Sequence, residues 1–104
     1  MPVVVVATLT VKPESMDTVQ DILTETVAAV HNEPGCQLYS LHRTDNTFVF
    51  IEQWADAEAL QTHGTAPAVT GMFTAVRDHL DGPLEMKLLQ PVPAGDPATG
   101  QLRG

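Results

Sequence analysis

From Val3 to Val11 the chain alternates, with Val3, Val5, Ala7, Leu9 and Val11 on one side and Val4, Val6, Thr8 and Thr10 on the other. The first half is apolar on both sides, which predicts a strand covered on both faces. Pro13 ends it. Ser15 fits an N-cap, and Met16, Val19, Leu23, Val27 and Val30 then recur at helical spacing. Asp17, Asp21 and Glu25 form an acidic row opposite, which reads as a solvated face. Glu33-Pro34-Gly35 places proline and glycine at the centre of a type II turn. Two alternating runs follow, Cys36 to Thr44 and Thr47 to Trp54, joined by Asp45-Asn46, a pair that tolerates positive φ and suits a two-residue hairpin loop. That loop sets Arg43 opposite Phe48, Leu41 opposite Phe50, Tyr39 opposite Glu52 and Gln37 opposite Trp54. One face then carries Tyr39, Leu41, Arg43, Phe48, Phe50, Glu52 and Trp54; the other carries Cys36, Leu38, Ser40, His42, Val49, Ile51 and Gln53.

Beyond Trp54, Asp56 is placed to cap a short helix carrying Leu60 and His63, with Gly64 as its left-handed terminator. Thr65-Ala66-Pro67 opens another helix, with core positions Val69, Met72, Phe73, Val76 and Leu80. Gly71 inside it marks a kink, a close approach by a bulky group, or a tolerated glycine. Gly82-Pro83 stops that helix, and Leu84, Met86 and Leu88 alternate with Glu85 and Lys87 in a last strand. Residues 1–90 therefore form the domain. Residues 91–104 are a proline- and glycine-punctuated tail, expected to be loose unless it packs on a partner.

Strand, helix, strand, strand, helix, strand is the split βαβ order of an α+β, ferredoxin-like sandwich with a four-stranded antiparallel sheet. Its first and third strands are central, which agrees with the runs that are apolar on both faces. Two helices cover only one face of such a sheet. The other face needs a cover, and a second copy packed sheet to sheet is the expected one.

Composition narrows the partners. Thirteen acidic against five basic residues give a formal charge of -8 over 104 residues. The phosphate-neutralising attraction behind nucleic-acid binding is missing, and anionic membranes repel such a chain. The single cysteine, Cys36, permits no intrachain disulfide and no thiolate cluster, which favours a reducing compartment. The amino-terminal apolar run lacks a basic flank and is too short for a signal core or a membrane span, so a cytoplasmic protein is expected.

Glu33-Pro34-Gly35-Cys36 leading into Tyr39-Ser40-Leu41-His42-Arg43, then Phe48-Val49-Phe50-Ile51-Glu52-Gln53-Trp54 with Ala59-Leu60 and His63, resembles the antibiotic biosynthesis monooxygenase domain family over roughly residues 2 to 90. The resemblance implies a dimeric α/β barrel of two ferredoxin-like sheets. It also implies one of several activities: oxidation of quinols or polycyclic phenols by molecular oxygen without metal or flavin, haem degradation, or isomerisation. The haem-degrading branch uses an asparagine, a tryptophan and an axial histidine where this chain has Ala7, His63 and Phe73, so the resemblance does not extend to that branch.

Triplet oxygen reacts slowly with closed-shell organic molecules, and an enzyme without a cofactor must make its substrate electron-rich by deprotonating a phenol or quinol. It needs an apolar pocket, a base that titrates near neutrality and a donor for the developing oxyanion. His63 is the candidate base, with Tyr39 and Glu52 as its catalytic partners. Its alternative role is to bond the last carbonyls of its helix. Trp54, Phe50, Phe73, Met72 and Arg43 are the candidate substrate contacts, and Glu52 is expected to pair with Tyr39 or Arg43. The aromatic residues also fit plain core. His31 and His79 read as structural, His42 as facing solvent or a dimer contact, and Cys36 as a small apolar filler. No metal-ligand spacing is present, and no cofactor is expected. A cofactor-independent monooxygenase acting on a quinol or polycyclic phenol is the leading expectation, with a homodimer or higher homo-oligomer as its assembly. A non-catalytic or stress-related dimer that binds a small aromatic compound is the alternative.

Overall fold

The computed structural model describes all 104 residues. Four strands, β1 (Val3–Thr10), β2 (Cys36–Arg43), β3 (Thr47–Trp54) and β4 (Glu85–Leu89), and three helices, α1 (Met16–Val30), α2 (Ala57–Gly64) and α3 (Pro67–Val76), run in the order β1 α1 β2 β3 α2 α3 β4. The sheet order is β2-β3-β1-β4 with every neighbouring pair antiparallel. This is the ferredoxin-like α+β sandwich, with the two apolar runs at its centre. The sheet is open, with β2 and β4 at its edges.

The helices cover one face. Val5, Ala7 and Leu9 of β1, Tyr39 of β2, and Phe48, Phe50 and Trp54 of β3 meet Met16, Val19, Leu23 and Val30 of α1 and Val69, Met72 and Val76 of α3. Alternation in the strands and three- to four-residue spacing in the helices aim these side chains into one layer. Leu23 is fully buried there, so Leu23→Ala is a cavity-forming change of about 2–5 kcal/mol.

Several local expectations are corrected. The hairpin loop is Asp45-Asn46, but neither residue has positive φ; the Thr44 hydroxyl instead accepts from the backbone N–H of Asn46 and Thr47, at 3.4 and 3.1 Å, and holds the turn. The register follows expectation from Arg43 opposite Phe48 through Tyr39 opposite Glu52 to Leu38 opposite Gln53, then breaks: a bulge between Cys36 and Leu38 sets Cys36, not Gln37, opposite Trp54. Cys36 therefore joins the helix-covered face and packs on the core. Ser15 ends a 3-10 turn over Pro13–Ser15 and makes no side-chain cap; its hydroxyl bonds His79 Nδ1 at 2.8 Å. Gly64 lies within α2 without positive φ, and Thr65 closes that helix. After Val76 the chain tightens into a 3-10 turn, so Leu80 is extended and bridges Val11 instead of continuing α3. An added Cβ at Gly71 meets nothing within 4 Å, so this is the tolerated glycine.

The outer face carries Val4, Val6, Leu38, Val49, Ile51 and Gln53. Gln53 is buried, and its amide nitrogen donates to Gln37 Oε1 at 2.8 Å and to the Arg103 carbonyl at 3.2 Å. The tail contains no helix or strand, yet its end returns to the sheet. No helix is long and apolar enough to cross a membrane.

Candidate active site

Between the helix-covered sheet face and helices α2 and α3 lies a cavity of about 250 Å³. Ala7, Leu9 and Phe50 come from the sheet, Val69, Met72 and Phe73 from α3, Leu60 from α2, and Leu84 and Met86 from the last strand region. Ten of the fourteen lining residues, counting Tyr39 for its ring, are hydrophobic, which suits a ligand that is mostly hydrocarbon. The polar side chains on its wall are Tyr39, Glu52, Gln61 and His63.

His63 is positioned by two turns acting together. Asp56 caps α2 by accepting from the Ala59 N–H at 2.8 Å, which starts the helix directly after β3. Ala59 and His63 are four apart and share a helix face. Gly35, at φ 82°, brings the turn between α1 and β2 against Ala59, and the Cys36 N–H donates to the Glu33 carbonyl across that turn. The Glu33 side chain therefore meets His63, with Nδ1 2.9 Å from Glu33 Oε1. Since a carboxylate accepts, Nδ1 carries the proton of the neutral ring and Nε2 keeps its lone pair. Nε2 lies 3.9 Å from Glu52 Oε1. The ring rests on Trp54, with centroids 4.4 Å apart, and is 92% shielded at its side chain.

Glu52 is buried, and its Oε1 accepts from Trp54 Nε1 at 2.9 Å. Its pairing is thus with Trp54 and His63, not with Tyr39 or Arg43: Trp54 lies two residues along the same strand face, so its indole reaches back. Burial pushes the Glu52 carboxyl above the usual carboxylate range and Glu33 adds to this, while the Trp54 bond and His63 oppose it. Tyr39, directly across the hairpin from Glu52, has its ring centre 4.9 Å from that of Phe50 in a tilted pair and meets His63 edge to face at 5.3 Å. Burial first, then Glu52 and Glu33, raise its hydroxyl far above the ordinary phenol range, so near neutral pH it is a hydrogen-bond donor.

The structure thus brings Tyr39, Glu52, His63, Phe50, Phe73 and Met72 to one cavity. Trp54 stands behind His63 and Glu52 without lining the space. Arg43 lies elsewhere: its Nη1 donates to Gln20 Oε1 at 2.7 Å and its guanidinium sits 5.6 Å from the Phe48 ring centre. His31 bonds the Tyr39 carbonyl at 2.9 Å, while exposed His42 bonds Ser40 at 3.0 Å. Burial, then Glu33 and Glu52, push the Cys36 thiol up, which suits an inert filler. No three His, Cys, Asp or Glu side chains converge as a metal-holding group. Sequence reasoning missed Glu33 and Gln61. Glu33 was visible in its Pro-Gly run, which announces a turn but not what that turn faces.

The family model for antibiotic biosynthesis monooxygenases matches residues 2–75, and the chain belongs to that family. A Synechocystis protein, the uncharacterized sll1783, is 30% identical over 90 residues, 84% of this chain; the chain spans 61% of that protein's length. A Caulobacter crescentus structure assigned to the antibiotic biosynthesis monooxygenases is 28% identical with a TM-score of 0.83, covering 88% of this chain and 90% of that one. The Mycobacterium tuberculosis protein Rv0793 has a TM-score of 0.84 at 22% identity, covering 92% and 100%, and speaks for the fold alone.

Proposed function

We propose that this protein is a monooxygenase that oxidises a quinol or polycyclic phenol with molecular oxygen and without a cofactor of its own. Family membership and the monooxygenase assignment of the Caulobacter relative support the reaction class. The observation that carries the finer reading is that His63, Glu52 and Tyr39, mutual neighbours, all line one otherwise greasy cavity.

In this reading Nε2 takes the proton of a substrate hydroxyl while Tyr39 donates to the oxygen left behind. The resulting anion passes one electron to oxygen, the pair recombine as a peroxide anion on a ring carbon bearing hydrogen, and the proton held on Nε2 returns to make it a hydroperoxide. Loss of water across the O–O and C–H bonds leaves a new carbonyl. One oxygen atom goes to product and one to water, and the substrate supplies all the electrons.

The working unit is proposed to be a homodimer or higher homo-oligomer joined through the outer sheet face, with residues 1–90 as the catalytic domain and 91–104 as its tail, in the cytoplasm. Oxygen uptake by a panel of hydroquinones and anthrones, in air and under argon, tests the activity. The expected result is oxygen-dependent turnover that His63→Ala abolishes. Tight binding with no uptake above background would leave a non-catalytic binder of aromatic compounds instead.

A further inference from the structure

The cavity is one-sided in charge. No lysine or arginine lines it. Its one imidazole, His63, is held between two carboxylates, Glu33 at 2.9 Å and Glu52 at 3.9 Å. Glu33 stands behind the imidazole, outside the lining, and its Oε2 is buried without a hydrogen-bond partner. With the imidazole neutral the three groups together carry two negative charges, and one further proton, wherever it sits, leaves one. Arg43, the cation nearest in the hairpin, is turned away to Gln20 and Asp17. No cation in the wall therefore compensates an incoming anion, and repulsion from a buried carboxylate at a few ångströms is strong.

We propose that Glu52, backed by Glu33, is a specificity-determining residue that closes the cavity to anionic ring compounds and leaves it to uncharged hydroxyarenes. A hydroxyl on such a ring finds acceptors in Glu52 and His63 Nε2 and a donor in Tyr39. A ring carboxylate or phosphate finds the Glu52 carboxylate on the wall, Glu33 behind the imidazole, and only the neutral donors Tyr39 and Gln61 to set against them. The space, about 250 Å³ and just below the usual range of small-molecule pockets, suits an arene of one or two fused rings, which favours the hydroquinones over the three-ring anthrones of the panel above. This rests on the cavity being the aromatic site of the proposed function.

Equilibrium dialysis under argon, near neutral pH, with three probes of one ring system tests it: neutral 2-naphthol, anionic 2-naphthoate and cationic 2-naphthylmethylammonium. The expected order is naphthol at least about tenfold tighter than naphthoate, with the cation also bound more tightly than the anion. If burial of charge alone caused the rejection, the cation would be refused as firmly as the anion, and that result overturns the proposal. Glu52→Gln, which keeps an oxygen for the Trp54 N–H, is expected to narrow the naphthol-to-naphthoate ratio by about fivefold or more; an unchanged ratio in the folded variant also overturns it. Equal binding of naphthol and naphthoate by the native protein sinks the selectivity and spares the site. Binding of none of the three removes the aromatic site, and the proposed function with it.

Discussion

A Cβ placed on Gly35 would stand 2.5 Å from the Cβ of Ala59, so the turn after α1 and the first turn of α2 touch through the absence of one methyl group. Gly35 also holds φ 82°, a region that costs other residues about 1–2 kcal/mol. Gly35→Ala meets both obstacles, because Ala59 is held on a capped helix and its Cβ has no flexible end to swing away. A loss of about 2–4 kcal/mol in urea unfolding is expected. The same variant should loosen the Glu33 contact to His63, read as a change in the His63 ring nitrogen resonances.

Trp54→Phe keeps most of the packed ring and removes the indole N–H from Glu52 Oε1. A buried carboxyl oxygen left without its donor costs about 1–3 kcal/mol. Chemical denaturation near neutral pH should show a loss of this size, and it should shrink on acidification as Glu52 becomes protonated and no longer needs the donor.

Glu52 also sets a pH dependence. Its carboxyl is raised above the ordinary value of 4.5 in the folded chain, chiefly by burial, so between that value and the higher folded one the native state binds more protons than the unfolded state. Its contribution to stability is then fully present below the ordinary value and is lost as pH rises through the folded one. Unfolding curves of the native protein and Glu52→Gln across this window should diverge, with the native protein losing ground as pH increases. The difference between the two isolates Glu52 from the other carboxylates.

Tyr39→Phe removes a hydroxyl that burial and two carboxylates keep protonated, leaving the ring against Phe50 and His63. If the hydroxyl stabilises the substrate oxyanion, oxygen-uptake kcat should fall about a hundredfold while urea unfolding shifts little. An equal rise in KM with kcat intact would assign Tyr39 to binding alone.

Much of this arrangement is written locally in the chain. Val3 to Val6 and Phe48 to Ile51 are apolar on both sides because they are central strands, and Pro34-Gly35 forms its turn from backbone preference alone. The core of the hairpin register follows from Asp45-Asn46, even though the loop is held by the Thr44 hydroxyl and not by positive φ. What escaped depends on contacts between distant segments. Glu33 and His63 are thirty residues apart and meet only because Gly35 admits α2. The bulge between Cys36 and Leu38 moves one residue across the sheet, and no alternation rule registers it. Ser15 looks like a cap, but its hydroxyl bonds His79 from the far end of the fold. Tyr39, Glu52 and His63 were legible as a group because strand pairing and one helical turn are short-range rules. Arg43 shares their strand face but lies toward the opposite end of the hairpin, where α1 supplies its partners.

The last residues make one more difference to how the molecule has to be handled. The Arg103 carbonyl is hydrogen-bonded to Gln53 on the outer side of the sheet, one residue short of Gly104. A purification handle fused there would begin almost in contact with the surface across which two copies are proposed to join, whereas Met1 projects into water. Any census of subunits should therefore be taken with the extension at the amino end, since one at the other end competes for the same ground as the neighbour being counted.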